Sequence, residues 1–399
     1  MIKFDFNTYT QKYLKDEDYT NIFNQIKNDF LTKGEMKGWY DLDFHLEEIE
    51  TTASYIKENA DVFVVIGIGG SYLGSKAIID AFSPNFKKTN PEIIFAGYNL
   101  SSRYLTELLE YIKGKRIVIN VISKSGGTIE PNVAFNKIYE YMASVYNEEE
   151  LKHRVIVTTD SEKSKLLDLA NQKGFQKFAI PSNVGGRFSV LTPVGLLPIS
   201  VAGINIRKLL EGAKDSKNNL ADAYTYAKIR DIFYKNGKCI ESFVVYDEKL
   251  YFFTEWLKQL FAETQGKNNK GILPISTVNT RDLHSLGQYM QDGEDIVFET
   301  NLYIANSSKL FIKEYNKDLT EIELDALKSV CESHYNGHTP SIVITLDELN
   351  EYNIGYLVFF YFVSSMLGAY LLGVNYYDQP GVNGYKDILK ERLVNEINE

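Results

Sequence analysis

Short runs of β-branched and aromatic residues alternate along this chain with longer stretches whose apolar residues fall at helical spacing. "DVFVVIGI", "EIIFAGY", "RIVINVIS" and "RVIVTTD" punctuate the first half, and "ESFVVYD", "DIVFETNLYI" and "SIVITLD" the second. A run that is apolar at nearly every position suits a strand covered on both faces. Such runs alternating with helices predict parallel strands joined by crossover helices. The fold class expected is α/β, with two doubly wound three-layer α/β/α sandwiches. Residues 1–50 read as a polar helical extension, 51–210 and 211–374 as the two sandwiches, and 375–399 as a helical tail.

Residues 352–377 contain no charged residue and exceed the length a bilayer requires. A helix buried on all sides of a large α/β protein has the same appearance. Six tyrosines, the adjacent Ser364 and Ser365 and acidic rather than basic residues just upstream favour burial. The N-terminus carries charges where a signal peptide needs an apolar stretch, so the cytoplasm is expected, with no membrane partner. Among 399 residues the formal charge is -10, which argues against nucleic acid and means that an anionic substrate would need local positive groups. Cys239 and Cys331 offer no disulfide framework and suit a reducing compartment.

Candidate chemistry lies just after the strands. In "RIVINVISKSGGTIEP" a buried run breaks into Ser123, Lys124, Ser125, Gly126, Gly127 and Thr128 before a helix. Free amides, the positive end of the helix dipole and these hydroxyls suit an anion such as phosphate; a plain helix cap with a glycine turn uses the same residues. "VFVVIGIGGSYLGSKA" places Gly70 and Ser71 in a second small-residue loop after a strand. It fails the dinucleotide fingerprint, because Tyr72 stands at the third glycine. It also fails as a Walker A loop, because Ser75-Lys76 follows Gly74 in the wrong order. In "NVGGRFSVLTP", Gly185 and Gly186 present Arg187, a permanent cation suited to a developing oxyanion or to a structural ion pair. "FFTEWLKQLFAETQGK" puts Gln259 and Glu263 on one helix face that ends at Gly266, but Glu255 shares roughly that face, so spacing alone does not choose the base. His284 stands at a helix start, and Lys386 is one of several lysines near the end. His334 and His338 in "HYNGH" admit a metal pair, although the intervening Asn-Gly favours a turn.

Taken in order, "GIGGSYLGSKA", "ISKSGGTIEPN", "VGGRFSVLTPVGLLP", "AETQGK", "DLHSLGQY" and "DQPGVNGYK" resemble the phosphoglucose isomerase family, from about residue 60 to 386. The resemblance implies two sugar isomerase (SIS) domains, interconversion of glucose 6-phosphate and fructose 6-phosphate, no metal or organic cofactor, and a homodimer. Carried over, it implies that Ser123, Lys124, Ser125 and Thr128 grip the phosphate, that Glu263 moves the proton and that Arg187 stabilises the enediolate. Gly70, Ser71, Gln259 and Gln379 would contact the sugar. His284, reaching in from the neighbouring subunit, and Lys386 would open the ring. Ala262 and Thr264 stand where relatives often carry Gly and Ser. A phosphosugar sensor without catalysis would keep the phosphate loops but need not gather Glu263, Arg187, His284 and Lys386.

Overall fold

The computed structural model describes residues 2–14, 17–41 and 44–395. Strand β1 (Ile2–Tyr9) is followed by helices Thr20–Lys33 and Leu46–Asn59. Then come β2 (Val62–Ile66), β3 (Glu92–Ala96), β4 (Ile117–Ser123), β5 (Val155–Asp160) and β6 (Gln176–Ile180), with helices between them. Helices Pro193–Val201, Ile206–Asn218 and Ala221–Lys235 lead into β7 (Ile240–Val245), β8 (Leu273–Val278), β9 (Val297–Asn306), the short hairpin β10 (Phe311–Ile312) and β11 (Lys317–Asp318), and β12 (Ser341–Glu348). The first sheet has the order β3-β2-β4-β5-β6, and every neighbouring pair is parallel. The second has the order β1-β12-β9-β7-β8 and is parallel except where β1 joins it.

Doubly wound sheets bind ligands beyond the carboxyl ends of the strands, where strand order reverses. In the first sheet that reversal lies between β2 and β4, so the loops from Gly67 and from Lys124 flank it. Both faces of this sheet are buried, as the uninterrupted apolar runs require. Val62, Val64 and Ile66 point into a core closed by helices Ser102–Tyr111, Ile129–Val145 and Lys165–Lys173. Phe63 and Val65 point into a second core that also takes Phe243, Val245 and Phe298 from the other sheet. One apolar core thus joins the two sandwiches.

The strand expectations hold at each quoted run, but within the two five-stranded sheets three strands lacked a comparable run: β1, β6 and β8. All three are sheet edges. An edge strand pairs on one side and is incompletely covered, so its sequence mixes polar with apolar residues, as "QKFAI" and "LPISTV" do. The N-terminal extension is corrected accordingly. Its helices exist, but Ile2–Tyr9 is a strand antiparallel to β12, hence part of the second sheet.

Helix Glu351–Leu372 is the uncharged segment. It is the one described helix long and apolar enough to span a bilayer, and 83% of its most apolar window is buried inside the protein. It packs against Ile206–Asn218, Ala221–Lys235 and Tyr251–Gln265. On one flank Phe362 meets Trp39, Phe188 and Trp256 at ring separations of 5.5, 5.2 and 5.8 Å, which ties the N-terminal segment, the turn holding Arg187 and the helix of Glu263 together. Phe362→Ala should therefore cost about 3–5 kcal/mol. Denaturant unfolding followed by fluorescence of Trp39 and Trp256 should show the midpoint lowered accordingly.

Candidate active site

The loop after β4 turns through Gly126, whose φ of 67° is the left-handed conformation that favours glycine. Ser123 Oγ accepts the Gly126 amide at 3.0 Å and Ser125 Oγ accepts that of Gly127 at 3.3 Å, which leaves each hydroxyl proton free to donate. Thr128 is the residue before helix Ile129–Val145, and its side chain makes no capping bond. The loop is supported from below by Thr159 Oγ1, which donates to Ser123 O at 2.7 Å. Lys124 departs from the other loop residues. Its ammonium donates to Ser182 O at 2.7 Å and Val184 O at 3.1 Å, and burial lowers its pKa.

After β2 the chain enters a 3₁₀ turn, Gly69–Ser71, before helix Leu73–Phe82. A Cβ on Gly70 would lie 1.9 Å from Gly186 O, so only glycine permits the two loops to touch. That contact sets the backbone before Arg187. Its side chain is 1% exposed, and its guanidinium is met on all sides. Nε donates to Thr264 Oγ1 at 2.9 Å. Nη1 donates to Glu263 Oε2 at 3.4 Å and Gln379 Oε1 at 2.8 Å, and Nη2 to Asp378 O at 3.2 Å and to Tyr376 O. A guanidinium has five N–H donors, and here each has an acceptor. Burial pulls its pKa down from the ordinary value, while the Glu263 carboxylate opposes that shift.

Helix Tyr251–Gln265 ends at Gly266 and delivers Gln259 and Glu263 to the same place. Gln259 Nε2 donates to Glu263 Oε1 at 3.0 Å, and Gln259 Oε1 is buried without a protein partner. Glu255, which spacing left in contention, is instead engaged by Lys258 at 2.6 Å. Glu263 keeps 26% of its side chain exposed, so it is a solvent-reachable carboxylate beside a fully buried cation. Arg187, Glu263, Gln259, Gln379 and Gly70 therefore converge.

Neither His284 nor Lys386 forms a hydrogen bond or ion pair with these residues within the chain. His284 is exposed in the 3₁₀ turn Arg281–His284. Lys386 lies on helix Asn383–Asn395, where its ammonium stands 6.0 Å from the ring of the adjacent Tyr385. His334 is buried against Glu299, Nδ1 standing 3.1 Å from both carboxylate oxygens, and His338 sits in the following turn with φ 78°.

Sequence reasoning missed Thr264, the Tyr376 carbonyl and Lys267. Lys267 Nζ pairs with Asp378 Oδ1 at 3.0 Å and donates to Asn375 O, so it holds the same 375–378 turn that Arg187 engages. The Thr264 and Lys267 positions were visible as neighbours of Glu263 in "ETQGK". A backbone carbonyl leaves no trace in sequence.

A family model described as "Phosphoglucose isomerase" matches residues 45–271. A glucose-6-phosphate isomerase of Shouchella clausii is 43% identical, covering 90% of this chain and 85% of its own length. One from Clostridioides difficile is 41% identical, over 96% of this chain and 94% of its own. Among solved structures, a hypothetical protein from Thermus thermophilus superposes with a TM-score of 0.90 at 25% identity, covering 98% of this chain and all of that one.

Thr264→Val keeps the shape of the side chain but removes the acceptor of Arg187 Nε. A buried charged donor left unpaired should cost about 1–3 kcal/mol, read as a lower denaturation midpoint relative to the unaltered protein.

Proposed function

We propose a mechanism from one premise: the chain belongs to the phosphoglucose isomerase family and carries out the reversible interconversion of glucose 6-phosphate and fructose 6-phosphate. The fold is that of two sugar isomerase sandwiches. The observation that carries the residue assignment is the Arg187–Glu263 contact beside the strand-order reversal of the first sheet.

The phosphate sits in the loop after β4, taking donors from Ser123, Ser125 and Thr128 and from the amides at the start of helix Ile129–Val145. An anchor at one end of the sugar orients the carbons at the other. Gly70 and Ser71 line one side of the sugar, and Gln379 the other. The unpartnered Gln259 Oε1 accepts from a sugar hydroxyl. After the ring opens, Glu263 takes the proton from C2 of the aldose, and the electron pair moves toward the C1 oxygen to form a cis-enediolate. Glu263 then returns the proton to C1 while the proton of the C2 hydroxyl passes to the C1 oxygen, so that the C2 oxygen becomes the carbonyl and the ketose results. The reverse direction retraces these steps. Arg187 meets the negative charge on oxygen with a cation already fixed in place, so no reorganisation is needed as charge develops. Every step uses groups of the protein itself.

Ring opening falls to His284 and Lys386. His284, exposed and outside the cluster of its own chain, reaches the site of a second copy in a homodimer. The enzyme works in the cytoplasm, its uncharged helix serving as core. A sensor without chemistry would have no use for a carboxylate held against a buried cation at the mouth of a phosphate site.

Glu263→Gln should lower kcat for fructose 6-phosphate by at least about 10²-fold in a coupled assay with added chelator, while competitive inhibition by inorganic phosphate persists. Turnover at the unaltered rate would remove Glu263 from the role.

A further inference from the structure

Lys124 lies in the middle of the phosphate loop, yet its side chain turns away from the helix N-terminus that the loop serves. Two of its three ammonium donors are taken by Ser182 O and Val184 O, carbonyls of the segment that runs into Gly185, Gly186 and Arg187. That segment is fixed at its far end as well. Gly186 O presses on Gly70 so closely that a methyl group could not intervene, and Ser189 Oγ donates to the same carbonyl at 2.6 Å. The backbone of Lys124 is held too, since the preceding carbonyl, Ser123 O, accepts from Thr159 Oγ1 and Thr159 Oγ1 stands 2.8 Å from Ser164 Oγ. A continuous path therefore runs from β5 through the phosphate loop to the turn that presents the buried guanidinium. The half-buried ammonium is its one charged link; burial disfavours its charge, and the Asp160 carboxylate and the two carbonyl dipoles favour it.

We propose that Lys124 is a positioning residue for Arg187 rather than a side-chain ligand of the phosphate: its ammonium braces the 182–184 backbone that leads into Arg187, so that the loop after β4 and the turn carrying the fixed guanidinium keep one spacing. This rests on the isomerase reading above and adds to it a physical coupling between the anion site and the oxyanion site. The coupling explains why a lysine stands between two serines whose hydroxyls alone can serve a phosphate. It also assigns the consequence of losing the ammonium. The reacting end of the sugar should suffer more than the anchored end, since a displacement of about 1 Å at a catalytic group can cost on the order of 10²-fold in rate.

The test compares Lys124→Met, Lys124→Arg and Ser125→Ala, with kcat and KM for fructose 6-phosphate and the inhibition constant of inorganic phosphate measured for each. The expected result is that Lys124→Met lowers kcat by on the order of 10²-fold while weakening inorganic phosphate less than Ser125→Ala does. Ser125→Ala should chiefly raise KM. Lys124→Arg keeps donors for both carbonyls and should recover most of kcat, which a loss through misfolding alone would not predict. Lys124→Met with kcat retained and phosphate weakened as much as in Ser125→Ala would overturn the proposal, and so would a Lys124→Arg variant as slow as Lys124→Met. Failure of the isomerase reading would appear separately, as normal turnover in Glu263→Gln.

Discussion

A guanidinium taken out of water has to find an acceptor for each of its donors, and the site of this protein is organised by how Arg187 meets that requirement. The acceptors come from distant parts of the sequence: Thr264 and Glu263 from the end of one helix, and Gln379 and the carbonyls of Tyr376 and Asp378 from the segment after the long buried helix. Satisfying the cation thus fixes three stretches of chain relative to one another. Among the side chains that accept from it, Glu263 and Gln379 stay reachable by solvent, and Glu263 is the one that carries charge. The arrangement that lowers the cost of burying charge also sets a carboxylate beside a cation, the placement that the proposed proton transfer uses.

The shared apolar core makes this possible. Phe362 touches Trp39, Phe188 and Trp256, so the residue next to Arg187 and the helix of Glu263 rest on the same aromatic group. A second buried cation stiffens the helix end from behind. Arg230 donates to Gln265 Oε1 at 2.9 Å and is paired with Glu241, which also accepts from Thr300 at 2.7 Å. Glu263 and Thr264 therefore sit between two arginines, one on the cleft side and one in the core. Sub-ångström placement of a proton-transferring group requires this kind of support on both sides.

How far the sequence disclosed all this depended on what kind of contact was involved. Strands buried on both faces were legible as apolar runs, as was the edge strand β3, whose residues are apolar after Glu92; the edge strands β1, β6 and β8, which mix polar with apolar residues, were not. The helix stop at Gly266 and the shared face of Gln259 and Glu263 followed from helical periodicity. The choice of Glu263 over Glu255 did not, since both lie on that face and are distinguished by contacts with Arg187 and Lys258 from different directions. The hydroxyls of the loop after β4 could be read locally. The direction taken by the Lys124 side chain could not, because its acceptors lie 58 and 60 residues away in the chain and are backbone atoms. His284 and Lys386 were named through family resemblance alone, since no hydrogen bond or ion pair ties either to the Arg187 cluster within the chain.

The central claim is that the carboxylate held by Arg187 moves the substrate's carbon-bound hydrogen, and solvent exchange tests it most directly. With fructose 6-phosphate in deuterated water, proton NMR should show the unaltered enzyme introducing solvent deuterium at the carbons that exchange hydrogen, while Glu263→Gln abolishes this incorporation together with conversion. Deuterium incorporation by Glu263→Gln at the rate of the unaltered enzyme would contradict the account.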